Sequence, residues 1–166
     1  MMTSDLIEED LSLRLRKAFS AFPTGVVAVC AVGEDGRRVG MAVNSFTSIS
    51  LDPPLVAISV ANTSRTWPAL ARAGVIGLSV LGNGHEEVSR RLAARDGDRF
   101  EGGHWRTGDD GAVHLDDAAL WLTCRVHGDV AGGDHTIVLL AVDDVRFFPE
   151  TEPLVFHHSR YRSIGA

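Results

Sequence analysis

The chain has 166 residues, is 45% hydrophobic and carries a formal net charge of −6. That length supports one globular domain with its own core and is too short for two. The acidic balance makes nucleic acid and anionic membrane poor partners, although it leaves room for a local cationic pocket.

The first segment, Met1 to Lys17, carries four acids before its first base. It lacks the basic start and apolar block of a secretory leader. No run of about 18 apolar residues follows anywhere, so no spanning helix is expected and the chain reads as cytoplasmic. Residues 1–10 read as a flexible N-terminal extension to a single domain spanning 1–166. Leu11, Leu15, Ala18, Phe19 and Phe22 recur at helical spacing with Arg14, Arg16 and Lys17 between them. This predicts an amphipathic helix stopped by Pro23.

Thr24 to Val32 reads as a strand, Glu34-Asp35-Gly36 as a turn and Val39 to Val43 as the return strand. Asp52-Pro53-Pro54 interrupts the chain, and Leu55 to Val60 has the unbroken apolar character of a strand buried on both faces. Thr63 or Ser64 can cap a short helix ending near Ala73, with Gly74 after it. Val75 to Leu81 is a further buried strand and His85 to Arg95 a helix. Residues 96–118, rich in Gly and Asp, read as a long loop or lid with short structure. Ala119 to Val130 and Thr136 to Phe148 are long strands, and Leu154 to His157 a short last one. Six or seven strands with hairpin-like joints and two or three helices favour a mainly β fold, an antiparallel barrel with peripheral helices.

Several chemistries lack their residues. Gly82-Asn83-Gly84 begins a G-x-G-x-x-G pattern, but its sixth position is Glu87, so the dinucleotide fingerprint is missing. Ser79 in G-L-S-V is no nucleophile elbow. His85-Glu86-Glu87 has no second histidine four residues on, and His157-His158, adjacent on a strand, should face opposite ways. No metal site is expected. Cys30 and Cys124 each lie in an apolar run without C-x-x-C spacing, which predicts buried free thiols.

Three segments carry chemistry. Asn44, Ser45, Thr47, Ser48 and Ser50 fall within seven residues after a strand. They form either a neutral cradle for a phosphate or heterocycle edge, or an ordinary Ser/Thr-rich turn. Asn62-Thr63-Ser64-Arg65-Thr66 combines hydroxyls, an arginine and a helix start, which suits either a phosphate or plain capping. Two such clusters flanking one buried strand can converge on one phosphate. In Gly132-Gly133-Asp134-His135-Thr136 a histidine stands at the mouth of a strand, either as a structural group or as one that positions a carboxamide beside a redox cofactor.

Taken with Phe22 to Val26 (F-P-T-G-V), Gly40 to Val56 and Pro153 to Arg162, these motifs resemble the short-chain flavin reductase family over nearly the whole chain. The resemblance implies an FMN-binding split β-barrel, a homodimer, and FMN or FAD reduced by NADH or NADPH for a partner flavin-dependent monooxygenase. It implies flavin contacts at Asn44, Ser45, Thr47 and Ser48, a flavin phosphate at Ser64 and Arg65, and an aromatic, Phe100, near the cofactor. It further implies that His135 meets the nicotinamide nucleotide and that Tyr161 and Arg162 close the site. The sequence departs from the family at Val138-Leu139-Leu140 and at Ser159, where glycines are usual, which leaves the choice of flavin undecided. A rival reading of the same residues is a non-catalytic domain that stores flavin or senses redox state.

Overall fold

A computed structural model describes residues 2–165, with side chains from residue 10 onward. Helix α1 covers Met2–Phe19. Strands β1 (Thr24–Gly25), β2 (Val27–Val32), β3 (Arg38–Val43), β4 (Thr47–Leu51) and β5 (Pro54–Ala61) follow. Next come α2 (Trp67–Arg72), β6 (Ile76–Val80), α3 (Glu86–Ala93), β7 (Trp105–Thr107) and β8 (Val113–Leu115). The chain ends with β9 (Leu120–Gly132), β10 (His135–Phe147), β11 (Leu154–His157) and β12 (Arg160–Ser163).

A seven-stranded antiparallel sheet runs β3-β2-β6-β9-β10-β5-β4; β1-β11-β12 form a second sheet and β7-β8 a hairpin. β3 returns to within reach of β5, which curls the large sheet on itself. The fold is thus the mainly β split barrel with peripheral helices that the sequence predicts.

The apolar run of β2 is buried on both faces, and its period of two divides the interior. Val27, Val29 and Ala31 enter one core with Ile58, Leu70, Leu78 and Leu140. Val26, Ala28 and Cys30 enter another with Val88, Leu92, Val113 and Leu115. Each buried Val, Leu or Ile among them contributes about 1.5–3 kcal/mol through removal from water. The first core carries α2 through Leu70, and the second carries α3 through Val88 and Leu92, so the two helices that border the site are seated by separate cores.

Four expectations are corrected here. Residues 96–118 hold the short structure expected of them, β7 and β8, but are pinned rather than free as a lid: Val113 and Leu115 are fully buried, Trp105 Nε1 donates to the Phe100 carbonyl at 3.0 Å, and Arg91 pairs with Glu101 at 2.7 Å. At Gly77 a Cβ would run into the Val113 backbone, so β8 lies directly on β6. Asn44 to Ser50 is not all loop, because β4 pairs with β5 as an edge strand. Finally, β11 ends at His157 but is not the last strand, because His158 and Ser159, with φ of 50° and 57°, turn the chain into β12. That turn brings the His157 and His158 rings to 4.0 Å instead of opposite faces. Ser159 stands in a left-handed conformation that a glycine adopts without strain.

Cys30 and Cys124 are free and buried as expected. Burial drives the Cys30 thiol far above its ordinary pKa and pushes Cys124 up to about 12, so neither is a nucleophile. Ser79 is equally inert: its buried hydroxyl accepts the Leu115 N–H at 3.0 Å.

Candidate functional site

A cleft of about 680 Å³ opens between the β5–α2 loop, β3, the end of α3 and the segment that follows it. Ser64 and Arg65, where the resemblance implies a flavin phosphate, line it, and so do Thr66, Arg95, Asp96 and Arg99. Three arginines thus face one aspartate in a chain whose net charge is −6. None of the three makes an ion pair with a carboxylate among the described residues. Arg99 is held in place by donating to the Gly40 carbonyl at 3.0 Å and to Thr66 Oγ1 at 2.9 Å. Ser64 Oγ accepts the Trp67 N–H at 3.1 Å, which leaves its own proton free to donate. Since α2 has six residues, its dipole is small, and the attraction for an anion rests on the arginines.

The cleft adjoins a smaller compartment of about 200 Å³ through Ala42 and Ala93, which line both. Its walls are Val26, Val43 and Phe156, with Asn44, Ser89 and Tyr161 as polar points. Tyr161 Oη shares a 2.8 Å hydrogen bond with the buried Ser89 hydroxyl, and its ring leans on Phe156 at 5.3 Å. Next to this compartment, Thr24 pairs with Phe156 and its buried hydroxyl has no hydrogen-bond partner among the described residues. A cationic cleft beside an apolar slot with few polar groups fits a planar heterocycle that carries phosphate.

The remaining predicted residues are placed differently. Ser45 is spent on structure: its Oγ donates to the Ser59 carbonyl and accepts the Ser59 N–H, both at 2.9 Å, clipping the β3–β4 link to β5. Thr47 and Ser48 are exposed on β4, outside the cleft. Phe100 packs in the second core against Trp105 at 4.9 Å, because Gly40 has no Cβ and leaves room for its ring. Its neighbour Arg99 reaches the cleft instead. Arg162 is exposed on β12 and does not line the compartment that Tyr161 closes. Ser89, Arg95 and Arg99 were missed; only the run of arginines after α3 hints at two of them.

His135 opens β10 beside Ala61, the last residue of β5, and so stands one strand away from the start of the cleft loop. Its Nδ1 lies 2.7 Å from Asp134 Oδ1. A carboxylate only accepts, so Nδ1 carries the proton and Nε2 is left for another partner. The same bond and the imidazole's charge hold the Asp134 carboxyl below its ordinary pKa.

The flavin reductase like domain family matches residues 19–165. The chain belongs to the flavin reductase-like family. A flavin reductase of Pseudomonas putida is 38% identical over 151 residues, which is 91% of this chain and 89% of that protein. The NADH:FAD oxidoreductase of Streptomyces globisporus C-1027, solved in complex with NAD and FAD fragments, is 37% identical. It superposes with a TM-score of 0.85 over 91% of each chain. The styrene monooxygenase flavin reductase of Pseudomonas putida S12 is 35% identical with a TM-score of 0.81, over 91% of this chain and 97% of that one. In a flavin reductase the cofactor carries the chemistry, so the protein's part is to bind and position it.

Proposed function

We propose that this protein transfers hydride from NADH or NADPH to FMN or FAD and supplies the reduced flavin to a partner flavin-dependent monooxygenase. The observation that carries the reading is the cleft of three arginines joined to an apolar compartment, in a chain of this family. Bound flavin supplies the hydride acceptor. Arg65, Arg95 and Arg99 would neutralise its phosphate, and Ser64, whose hydroxyl proton is free, would donate a hydrogen bond to it. Val26, Val43 and Phe156 would shield an apolar ring system from water, and Ser89 holds the Tyr161 phenol among the compartment's polar points. His135, with Nδ1 tied to Asp134, presents Nε2 to the nicotinamide nucleotide. Because positioning supplies the acceleration, no general base is required.

The reading includes a homodimer. Helix α1 packs lightly on the rest of the described chain, and Leu15, Phe19 and Phe22 are exposed, Phe19 at 69%. Ile137 and Val130, paired across β10 and β9, add apolar surface. Such a surface is covered most simply by a second copy. Among the described residues no helix is long and apolar enough to cross a membrane. A nicotinamide reductant and two free thiols suit the cytoplasm.

Mixing the protein with NADH or NADPH in air, with and without added FMN or FAD, tests the function through the nicotinamide absorbance. Turnover that depends on flavin is expected. Absence of turnover at saturating flavin would leave the non-catalytic flavin-binding reading in its place.

A further inference from the structure

Asn62 sits between the two halves of the site. It follows Ala61, whose partner in the sheet is His135, and it precedes Thr63 and Ser64, which line the arginine cleft. Asn62 is exposed, yet its backbone N–H and both side-chain polar atoms go to one place, the turn that carries His135. Its backbone N–H donates to the Asp134 carbonyl at 2.9 Å. Its Nδ2 donates to the Gly133 carbonyl at 3.1 Å, and its Oδ1 accepts the Thr136 hydroxyl at 2.8 Å. These three bonds bracket His135 on both sides, and Asp134, within the bracket, holds the imidazole by its Nδ1.

We infer that Asn62 is a positioning residue that sets where His135 stands relative to the flavin cleft. The inference rests on the proposed role of His135 toward the nicotinamide nucleotide. A β-turn at the tip of a long hairpin, closed by Gly132 and Gly133, has little stiffness of its own; Gly133 has φ of 73°. Without the bracket the imidazole samples positions away from the nucleotide, and hydride transfer depends steeply on such placement. An amide suits this position because it donates to one carbonyl from Nδ2 and accepts a hydroxyl at Oδ1, two atoms set apart; an ionised aspartate has no donor, and a serine offers one shorter oxygen for both bonds. Asn62 is not among the residues that line the cleft, and its hydrogen bonds go to the turn, so its effect should fall on His135 and not on flavin binding.

The test combines kinetics with a double-mutant cycle on the flavin-loaded protein. Asn62→Ala should lower kcat/KM for NADH about tenfold and leave the flavin Kd within about twofold. Thr136→Val, which removes one bond and keeps the shape, should act in the same direction by about threefold. Thr136→Val carries the test on its own if Asn62→Ala proves too unstable. In a His135→Ala background Asn62→Ala should change NADH kinetics no further, because its effect passes through the imidazole. An additive loss in that background, or a loss of flavin affinity that accounts for the kinetics, would overturn the inference and leave the role of His135 standing. Unchanged NADH kinetics in His135→Ala alone would overturn the role of His135 and the inference with it.

Discussion

Ser45 and Ser64 show how one residue type serves two ends. Both are hydroxyls that follow strands in polar clusters, and hydropathy cannot separate them. Ser45 satisfies both backbone groups of Ser59, whereas Ser64 keeps its proton free at the cleft wall. Ser45→Ala should therefore destabilise the protein by about 1–2 kcal/mol, the cost of two unsatisfied backbone groups partly relieved by water. Its flavin Kd, measured well below the melting temperature, should stay near wild type. A denaturant titration paired with a flavin titration checks both. That Ser64 and Arg65 are residue types suited to an anion was legible in the sequence. The partner each hydroxyl would choose was not, since it depends on Ser59 lying fourteen residues away across the sheet.

At the scale of elements, the strands written in apolar runs were legible: β2, β5, β6, β9 and β10 lie where the sequence places them, within a few residues. The edges were not. β4 (T-S-I-S-L) and β12 (R-Y-R-S) are polar because they lie at sheet margins, and what defines them is pairing with β5 and β11. Helix α3 carries a further property. His85 at its start accepts the Gly82 N–H on Nδ1 at 3.0 Å, which requires that nitrogen to be unprotonated. Burial lowers the His85 pKa below its ordinary 6.5, against Asp117 and the Asp116 backbone, which raise it. The unfolded chain therefore takes up the proton first as pH falls, so stability drops from pH 6.5 downward until the folded-state pKa is passed. Melting temperatures between about pH 7 and pH 5 should fall for the wild type, and His85→Gln should flatten that part of the slope. An equal slope in the variant would assign the acid sensitivity to other groups.

For the molecule as a whole, the exposed apolar residues of α1 and of the β9–β10 hairpin predict a dimer at micromolar concentration by light scattering. Leu15→Asp combined with Phe19→Asp should shift it toward monomer, each burying a charge at the contact. The central claim is the division of labour between the arginine cleft and the β10 histidine. A crossed measurement of flavin Kd and NADH KM and kcat in Arg65→Ala and His135→Ala tests it most directly. Arg65→Ala should weaken flavin binding about ten- to a hundredfold, the worth of one arginine–phosphate pair. His135→Ala should leave flavin Kd near wild type and raise KM, lower kcat, or both. Loss of flavin binding in His135→Ala with intact nucleotide kinetics, or the reverse pattern in Arg65→Ala, would contradict the account.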